Sequence, residues 1–408
     1  MSSEPTEAYV WVWLPGERDP VVAGVLRPNG SVITFTYGRS YLDRAERFSL
    51  FLPELPLRSG ETSPEADEIA GCIRDAGPDS WGRRVIRYRL DRVADAYEPG
   101  VLGHLLLSGS DRIGALDFQA SPTEYVHRGA GDVPVEHLLR ATDAVAAGEA
   151  VPQELADALL LETAPGGAYP KALIADGDRR LIAKFSSPNE DRPVLKYEYI
   201  AMNLARTCGL DVAPVERCSV DGRDVLLIER FDRDTQAHRH LVVSALTVLG
   251  LGELGGRYAS YADLAEKVRT RFTEPKATLR ELFGRIVFNI LVSNTDDHAK
   301  NHAAFWDGSM LTLTPAFDVT PQRRSGGETA QAMAIGEDGW KMSQVAGCIE
   351  RAATYLLEPE HAREIVEAQI AGIEEGWEAA CEAAGLSDVE RRDAWGRQFL
   401  NPYALAGL

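Results

Sequence analysis

Cysteine is scarce and scattered in this sequence, with five residues among 408. No two of them form a CxxC pair, and their number is odd. A disulfide framework and a structural zinc site both need cysteines at close, paired spacings, so the sequence argues against either. Scattered cysteines are typical of a chain that folds in a reducing compartment, and we expect a cytoplasmic protein.

Long apolar runs are also missing. No uninterrupted apolar stretch approaches the length of about 20 residues that a membrane-crossing helix needs. The first residues, 1–7, are polar and acidic and lack the apolar core of a secretory signal. We therefore expect neither a membrane span nor a signal peptide.

Basic residues are outnumbered by acidic ones, 43 Lys and Arg against 62 Asp and Glu, which gives a net charge of −19. A field of this sign repels phosphate backbones, so the chain should not bind DNA unaided. A specific basic partner is one interpretation of this acidity, and solubility is the other. The composition leaves both open.

The first third of the chain is rich in strand patterns. Aromatic and β-branched residues crowd 9–14, and apolar side chains alternate along 32–37, the period of a half-buried strand. Pro28-Asn29-Gly30 ahead of the second run predicts a hairpin turn. Further elements are predicted as helices at 65–75 and 80–94 and an extended piece at 114–118.

The middle of the chain predicts a second small sheet. Apolar runs at 171–175 and 180–185 flank Asp176-Gly177-Asp178, the signal of a tight hairpin. A helix at 194–208, stopped by Gly209, and a buried strand at 224–229 follow. The segment before this sheet, 119–158, is predicted to be a connector with one amphipathic helix at 135–148.

Helical periodicity dominates from about residue 241, and Ser387 with Glu390 has the spacing of a capping box. This order predicts an α+β fold, bilobal and protein-kinase-like, with an extra N-terminal β-rich subdomain and a helical C-terminal lobe. The expected divisions are an N-terminal β-rich subdomain at 1–120, a sheet lobe at 121–240 and a helical lobe at 241–408.

Polar residues that could take part in a reaction follow the apolar run 282–291. Asp296 and Asn301 lie five positions apart, and Asp318 follows a strand-like run at 310–314. Phosphoryl transfer needs a group that orients the attacking hydroxyl and oxygen ligands for magnesium, and these three residues could supply both. The alternatives are a solvated polar loop or helix cap for 296–301, and a turn aspartate for Asp318.

Lys184 stands within an apolar strand pattern. Burying a lysine there is costly unless an anion accompanies it. The phosphates of ATP, or Glu198 in the next predicted helix, would supply one. The alternative is an edge lysine that protects the sheet against aggregation.

Two further segments are candidates for nucleotide contacts. In the loop before the hairpin, Gly166 and Gly167 free the backbone to approach phosphates, and Lys171 adds charge. After the strand at 224–229, a linker could offer backbone groups to adenine and Phe231 for stacking. An ordinary turn and an amphipathic strand end are the respective alternatives.

Taken in their order along the chain, these motifs resemble those of the HipA family of toxin kinases over about residues 8–375. Matching elements are 166–171, Lys184, Glu198, Glu-Arg-Phe-Asp at 229–232, Asn294 to Asn301, and Pro-Ala-Phe-Asp at 315–318. Upstream, 78–82 and 111–116 resemble the family's N-terminal subdomain. The resemblance implies a serine/threonine protein kinase that uses ATP and Mg²⁺.

The resemblance also assigns roles to residues. Asp296 takes the position of the catalytic aspartate, and Asn301 and Asp318 take those of the magnesium ligands. The positions that would contact the nucleotide are Gly166, Gly167, Ala168, Tyr169, Pro170, Lys171, Lys184, Glu229, Arg230, Phe231, His298 and Phe317.

Partners follow from the resemblance as well. It implies a protein substrate, and the family's best-known target is an aminoacyl-tRNA synthetase, glutamyl-tRNA synthetase, whose phosphorylation halts translation. It also implies a small helix-turn-helix antitoxin, HipB-like, through which alone the chain would reach DNA. The alternative functions are a non-catalytic nucleotide-binding co-repressor module and a small-molecule kinase on the same fold.

One position departs from the family pattern. The family's loop often carries a serine that is autophosphorylated and inactivates the kinase, and here that position is Ala164. Thr163 is adjacent and is the remaining candidate, but its spacing is off by one. We therefore expect that this chain does not switch itself off in the usual way.

Overall fold

The computed structural model describes residues 4–91, 98–129, 133–152, 155–156, 158–159, 169–188, 190, 192–324 and 327–408. The strands are β1 (Ala8–Val12), β2 (Val21–Asn29), β3 (Val32–Tyr37), β4 (Glu61–Thr62), β5 (Leu116–Gln119), β6 (Lys171–Asp176), β7 (Arg179–Phe185), β8 (Val215–Val220), β9 (Arg223–Glu229), β10 (Val242–Ser244), β11 (Ala303–Trp306) and β12 (Leu311–Leu313). The α-helices are α1 (Arg39–Leu42), α2 (Gly71–Asp75), α3 (Ser80–Leu90), α4 (Val101–Leu107), α5 (Val135–Ala147), α6 (Val194–Thr207), α7 (Ala245–Val248), α8 (Tyr261–Arg271), α9 (Pro275–Leu291), α10 (Val345–Glu350), α11 (Pro359–Ala383) and α12 (Asp388–Ala394).

The chain divides into two compact units. Unit 1 comprises 1–189, 219–243 and 305–309, and unit 2 comprises 190–218, 244–304 and 310–408. Within the described ranges, no helix has both the length and the apolar character that crossing a membrane requires. The mixture of sheets and helices agrees with the predicted α+β class.

The N-terminal sheet has the strand order β4-β3-β2-β1-β5. The predicted hairpin is confirmed, because β2 and β3 pair antiparallel up to Asn29 opposite Val32, and Gly30 has a φ of +64°. That left-handed conformation suits glycine, which lacks a Cβ. The predicted alternation is confirmed in part, since Ile33, Phe35 and Tyr37 are buried and Val32 and Thr36 are half-buried, but Thr34 is buried as well.

The second sheet has the order β6-β7-β9-β8, so β7 lies between two other strands. Lys184 on β7 is paired in register with Lys171 of β6 and Leu226 of β9. The edge-lysine alternative is therefore wrong. The predicted hairpin at 176–178 is confirmed, and Gly177 adopts a φ of +59° at its turn.

The helix predicted at 65–75 is mostly wrong, because only Gly71–Asp75 is helical. The carboxylate of Glu54 accepts hydrogen bonds from the backbone N–H groups of Gly71 (2.9 Å) and Cys72 (3.0 Å). A side chain from another part of the chain thus caps this helix, which local sequence does not reveal. The helix predicted at 80–94 ends at Leu90, and 92–94 lie outside the described residues.

Unit 2 is mainly helical and is built around α9. Phe283, Ile286 and Phe288 of this helix are almost fully buried. Gln369 of α11 donates a hydrogen bond to the Gly284 carbonyl at 2.9 Å. A Cβ added at Gly284 would lie 2.9 Å from the Leu210 side chain, so the helix has no room for a side chain there. The predicted capping box at Ser387 is confirmed. The end of α9 sets the position of the polar segment that follows it.

Candidate active site

The segment that carries Asp296 leaves α9 through a left-handed turn. Helix α9 ends at Leu291, and Ser293 has a φ of +54°, a region that non-glycine residues seldom adopt. Ser293 is fully buried, and its carbonyl accepts a hydrogen bond from the Gln322 N–H at 2.9 Å. Tertiary contacts therefore hold the turn, and the chain reaches the surface at Asp296.

Asp297 anchors this loop from the inside. Its Oδ2 accepts hydrogen bonds from Asn289 Nδ2 at 2.7 Å, from His302 Nε2 at 2.9 Å and from the Tyr261 hydroxyl. Burial alone would raise the pKa of the Asp297 carboxyl, but the nearby His302 and these hydrogen bonds hold that pKa below its ordinary value. The loop is thus fixed on a buried, ionised carboxylate.

Asp296 and Asn301, the predicted catalytic residue and magnesium ligand, lie on the same loop. Asp296 is exposed, and Asn301 Nδ2 donates a hydrogen bond to the Asp296 backbone carbonyl at 3.4 Å. The Asn301 N–H also bonds the His298 carbonyl at 2.8 Å. Because the amide nitrogen of Asn301 faces the loop's own backbone, its amide oxygen is the atom that a cation could take.

The segment that carries Asp318 is joined to this loop through Asn294. The Nδ2 of Asn294 bonds Asn289 Oδ1 at 3.0 Å and the Asp318 carbonyl at 3.5 Å. Asp318 has a φ of +59°, an uncommon conformation of the kind that clusters at functional sites. Just before it, the Ala316 N–H bonds the Asp211 carbonyl at 2.8 Å. Unit 2 therefore brings two segments together that lie 22 residues apart in sequence.

A pocket in unit 2 borders both segments. Its lining residues include Asn301 and Phe317, two of the predicted site residues, together with Asp297 and His302. His298, predicted to contact nucleotide, is half-buried, and its Nδ1 has no hydrogen-bond partner among the described residues. That nitrogen is the kind of polar atom that a ligand or water could satisfy.

The donor atoms on these segments fit magnesium. Mg²⁺ prefers oxygen ligands and is usually held by one or two carboxylates together with substrate phosphates and water. Asp318 offers a carboxylate and Asn301 an amide oxygen. Within the part of the chain that the structure describes, no three His, Cys, Asp or Glu side chains gather into a metal-binding group.

In unit 1, the predicted phosphate-binding lysines are both buried. Lys184 is 7% exposed and Lys171 is 1% exposed. The Lys171 ammonium lies 2.7 Å from Asp79 Oδ2, and Trp81 Nε1 donates to the Lys171 carbonyl at 2.9 Å. The Pro170 carbonyl accepts from the N–H of β7's last residue at 3.0 Å. Tyr169 is half-buried; Gly166, Gly167, Ala168, Thr163 and Ala164 lie outside the described residues.

The predicted adenine segment begins at the end of β9. Glu229 is paired with Leu181 of β7, and Phe231 is half-buried and packs edge-to-face on Phe305 with 5.9 Å between ring centres. The side chain of Arg230 is fully buried, and its guanidinium contacts protein groups. A nucleotide contact at Arg230 would therefore involve its backbone.

Sequence reasoning missed the residues that hold the Asp296 loop in place. Asp297, Tyr261, Asn289 and His302 form one buried hydrogen-bonded group, although they are dispersed over 42 positions from first to last. The available signal was Asp297 itself, a second aspartate directly beside the candidate catalytic one. The sequence around Asp297 did not indicate that its side chain is buried, because its neighbours Asp296 and His298 are both polar.

Two family models match the chain. The model of the HipA-like C-terminal domain matches residues 163–377, more than half of the chain, and the model of the HipA N-terminal domain matches residues 12–119. The first range includes the Asp296 loop and all four strands of the second sheet, and the second range includes β2 to β5 of the N-terminal sheet.

Curated relatives are similar over shorter stretches. “Putative kinase Y4mE” of Sinorhizobium fredii is 33% identical over 34% of this chain and 33% of its own length. “Serine/threonine-protein kinase toxin HipA” of Shewanella oneidensis is 27% identical over 35% of this chain and 37% of its own length. The chain therefore aligns with about a third of the length of each relative.

One solved structure is similar over nearly the whole chain. It is the complex of HipA, HipB and operator DNA from Shewanella oneidensis, with a TM-score of 0.65 and 18% identity over 92% of both chains. At this identity the likeness shows a shared fold.

Proposed function

The chain belongs to the HipA family, and on that premise we propose that it is an ATP- and Mg²⁺-dependent serine/threonine protein kinase that acts as the toxin of a toxin–antitoxin pair. The observation that carries the proposal is the loop at the end of α9. There Asp296 is exposed while the adjacent Asp297 is buried and fixed by three hydrogen bonds. A rigid loop that presents one carboxylate to solvent suits the positioning of a substrate hydroxyl.

We assign the following roles in unit 2. Asp296 orients the attacking serine or threonine hydroxyl and accepts its proton. Asn301 and Asp318 hold magnesium through their side-chain oxygens, and His298 and Phe317 contact the nucleotide. When bound, Mg²⁺ supplies positive charge that neutralises the phosphates during transfer. The contacts of Asn294 with the carbonyl of Asp318 support this assignment, because they limit the separation of the two segments.

In unit 1 we assign Lys184 and the loop 166–171 to the phosphates, and 229–231 to the adenine. Lys184 lies on a central strand and is paired in register with Lys171, the last residue of that loop, which supports assigning both lysines to the same phosphates. The predicted divisions at 1–120, 121–240 and 241–408 form part of this proposal.

For the substrate, we propose a protein of the translation machinery, with an aminoacyl-tRNA synthetase such as glutamyl-tRNA synthetase as the first candidate. For the partner, we propose a HipB-like helix-turn-helix antitoxin, which would carry this acidic cytoplasmic chain, of net charge −19, to DNA. The solved relative that contains HipA, HipB and operator DNA supports this assembly.

The test is phosphorylation of a cell lysate with labelled ATP, using wild type and Asp296→Asn. Wild type should label a protein band that Asp296→Asn does not label. Asp388→Asn, which changes an exposed aspartate at the start of α12, is the matched control and should label it fully. Wild-type expression should also arrest growth, whereas Asp296→Gln should not.

The outcomes separate the alternative functions. Equal growth arrest by wild type and Asp296→Gln would exclude kinase toxicity and favour the co-repressor module. Labelling of a small molecule instead of a protein would favour the small-molecule kinase.

A further inference from the structure

Two sequence motifs of the N-terminal region have no role in the proposed chemistry. The N-terminal region is here residues 1–120, and the two motifs are 78–82 and 111–116. Both contact segments of unit 1 that we assign to the nucleotide. The contacts are buried and involve charges, so they are costly to form unless their geometry is well defined.

The segment 111–114 is bound to the segment that follows β9. Asp111 Oδ1 lies 3.1 Å from Arg230 Nη1 and 3.0 Å from Arg233 Nη2. Both arginines also donate to the Arg112 carbonyl at 2.7 Å, and both pair with Asp232, at 2.9 and 2.7 Å. Two arginines and two aspartates thus join the N-terminal region to the residues flanking Phe231.

Gly114 completes this contact. Its N–H donates to Asp232 Oδ2 at 2.7 Å, and its carbonyl accepts from Arg233 Nη1 at 2.9 Å. Its φ is +83°, and an added Cβ would lie 3.3 Å from the Val242 nitrogen. Only glycine therefore fits this close approach without strain.

The other motif contacts the exit of the phosphate loop. Asp79 holds the Lys171 ammonium at 2.7 Å, and Trp81 Nε1 holds the Lys171 carbonyl at 2.9 Å. Asp79 also caps α3 by accepting from the Gly82 N–H at 2.8 Å. The position of Lys171 is thus set by a helix of the N-terminal region.

We propose that the N-terminal region positions the nucleotide-binding segments of the kinase, with Asp111 and Gly114 as positioning residues for 229–233 and Asp79 and Trp81 as positioning residues for Lys171. This inference rests on the proposed function. None of the four needs to touch the substrate. They act by fixing where the adenine segment and Lys171 lie, so their loss should weaken ATP binding more than it slows the transfer step.

The experiment uses the full-length protein with Asp111→Asn and Gly114→Ala. Asp111→Asn leaves both arginines paired with Asp232, so we expect this variant to fold even where Gly114→Ala does not. The matched control is Asp67→Asn, which removes a partner of Arg74. The side chains of Arg74 and Asp67 are 7% and 28% exposed, close to the 6% and 22% of Arg233 and Asp111. After the substitution Arg74 still pairs with a second aspartate, Asp75, as Arg233 still pairs with Asp232.

Three quantities are measured: the Kd of a fluorescent ATP analogue, the kcat and KM for ATP, and hydrogen exchange of the backbone amides of 229–234 without nucleotide. Both test variants should exchange faster in this segment and raise Kd and KM about tenfold, with kcat within about twofold of wild type. The control should lose similar thermal stability but keep wild-type Kd and KM.

Two results would overturn the inference in distinguishable ways. If wild type binds the analogue and the test variants bind it equally well despite faster exchange, the positioning role is wrong while the kinase function stands. If wild type binds no ATP analogue at all, the proposed function itself is wrong, and the inference falls with it.

Discussion

Asp296 and Asp297 are adjacent in sequence but face opposite environments. Asp296 is exposed, whereas Asp297 is 3% exposed and accepts three hydrogen bonds on a single carboxylate oxygen. The Asp296 side chain is therefore accessible to a substrate, whereas the Asp297 side chain fixes the backbone of the loop. Substitutions at the two aspartates should for this reason have different effects.

Asp296→Asn should abolish most phosphoryl transfer without destabilising the protein. In the proposed function the exposed carboxylate takes part in catalysis but contributes little to folding, so we expect kcat to fall by about 10²- to 10⁴-fold and the free energy of unfolding to change by less than about 0.5 kcal/mol. Steady-state kinetics and urea unfolding would measure the two quantities. A large loss of stability would show that Asp296 is a structural residue.

Asp297→Asn should destabilise the protein. The substitution takes away the charged oxygen that accepts hydrogen bonds from Tyr261, Asn289 and His302, and a hydrogen bond to a charged group contributes about 1.5–3 kcal/mol. The same urea titration would show it, with Asp388→Asn as the control for a change at an exposed aspartate. Wild-type stability in the variant would contradict the anchoring role.

Lys184→Met should weaken nucleotide binding. A lost hydrogen bond to a charged group lowers affinity by about 10- to 100-fold. The Kd of a fluorescent ATP analogue measures the effect, and circular dichroism verifies that the variant is folded. Lys196→Met is the control, since Lys196 on α6 bonds the Gly385 carbonyl at the surface. Equal loss of affinity in both variants would argue against a specific role for Lys184.

Asp232 should make stability sensitive to acid. Burial alone would raise its pKa, but the charges of Arg230 and Arg233 and the Gly114 N–H hold the pKa below its ordinary value of 3.8. Its contribution to stability is thus complete above the unfolded-state pKa and is lost as the pH falls toward the lower folded-state value.

Urea unfolding between about pH 3 and 7 would measure this dependence. Stability should fall less steeply with acid in Asp232→Asn than in wild type. Asp221→Asn, which removes an exposed partner of Arg140, should keep the wild-type slope. An unchanged slope in Asp232→Asn would show that other carboxyl groups dominate acid unfolding.

The loop 163–171 should remain unphosphorylated. The inactivating serine of the family pattern is replaced by Ala164, and Thr163 is displaced by one position. Mass spectrometry after incubation with ATP and Mg²⁺ should find no phosphate in this loop. Stoichiometric phosphothreonine at Thr163 would contradict the prediction and indicate that the chain regulates itself.

Local sequence predicted those elements whose signals are local. The hairpins at Gly30 and Gly177 follow from turn residues that accept a positive φ, and the capping box at Ser387 follows from two side chains three residues apart. The start of α2 at Gly71 could not be predicted in this way. Its cap is Glu54, a residue 17 positions away that only the folded chain brings close.

The sequence by itself determined the family, the α+β class and the spacing of Asp296 and Asn301, because these depend on residue order and short-range periodicity. The tertiary structure decided which charges are buried and what they contact. It placed Lys184 on a central strand, buried Asp297 beside an exposed neighbour, and engaged Arg230 with Asp111. The physical reason is that burial and ion pairing join residues far apart in the chain, and no local pattern records them.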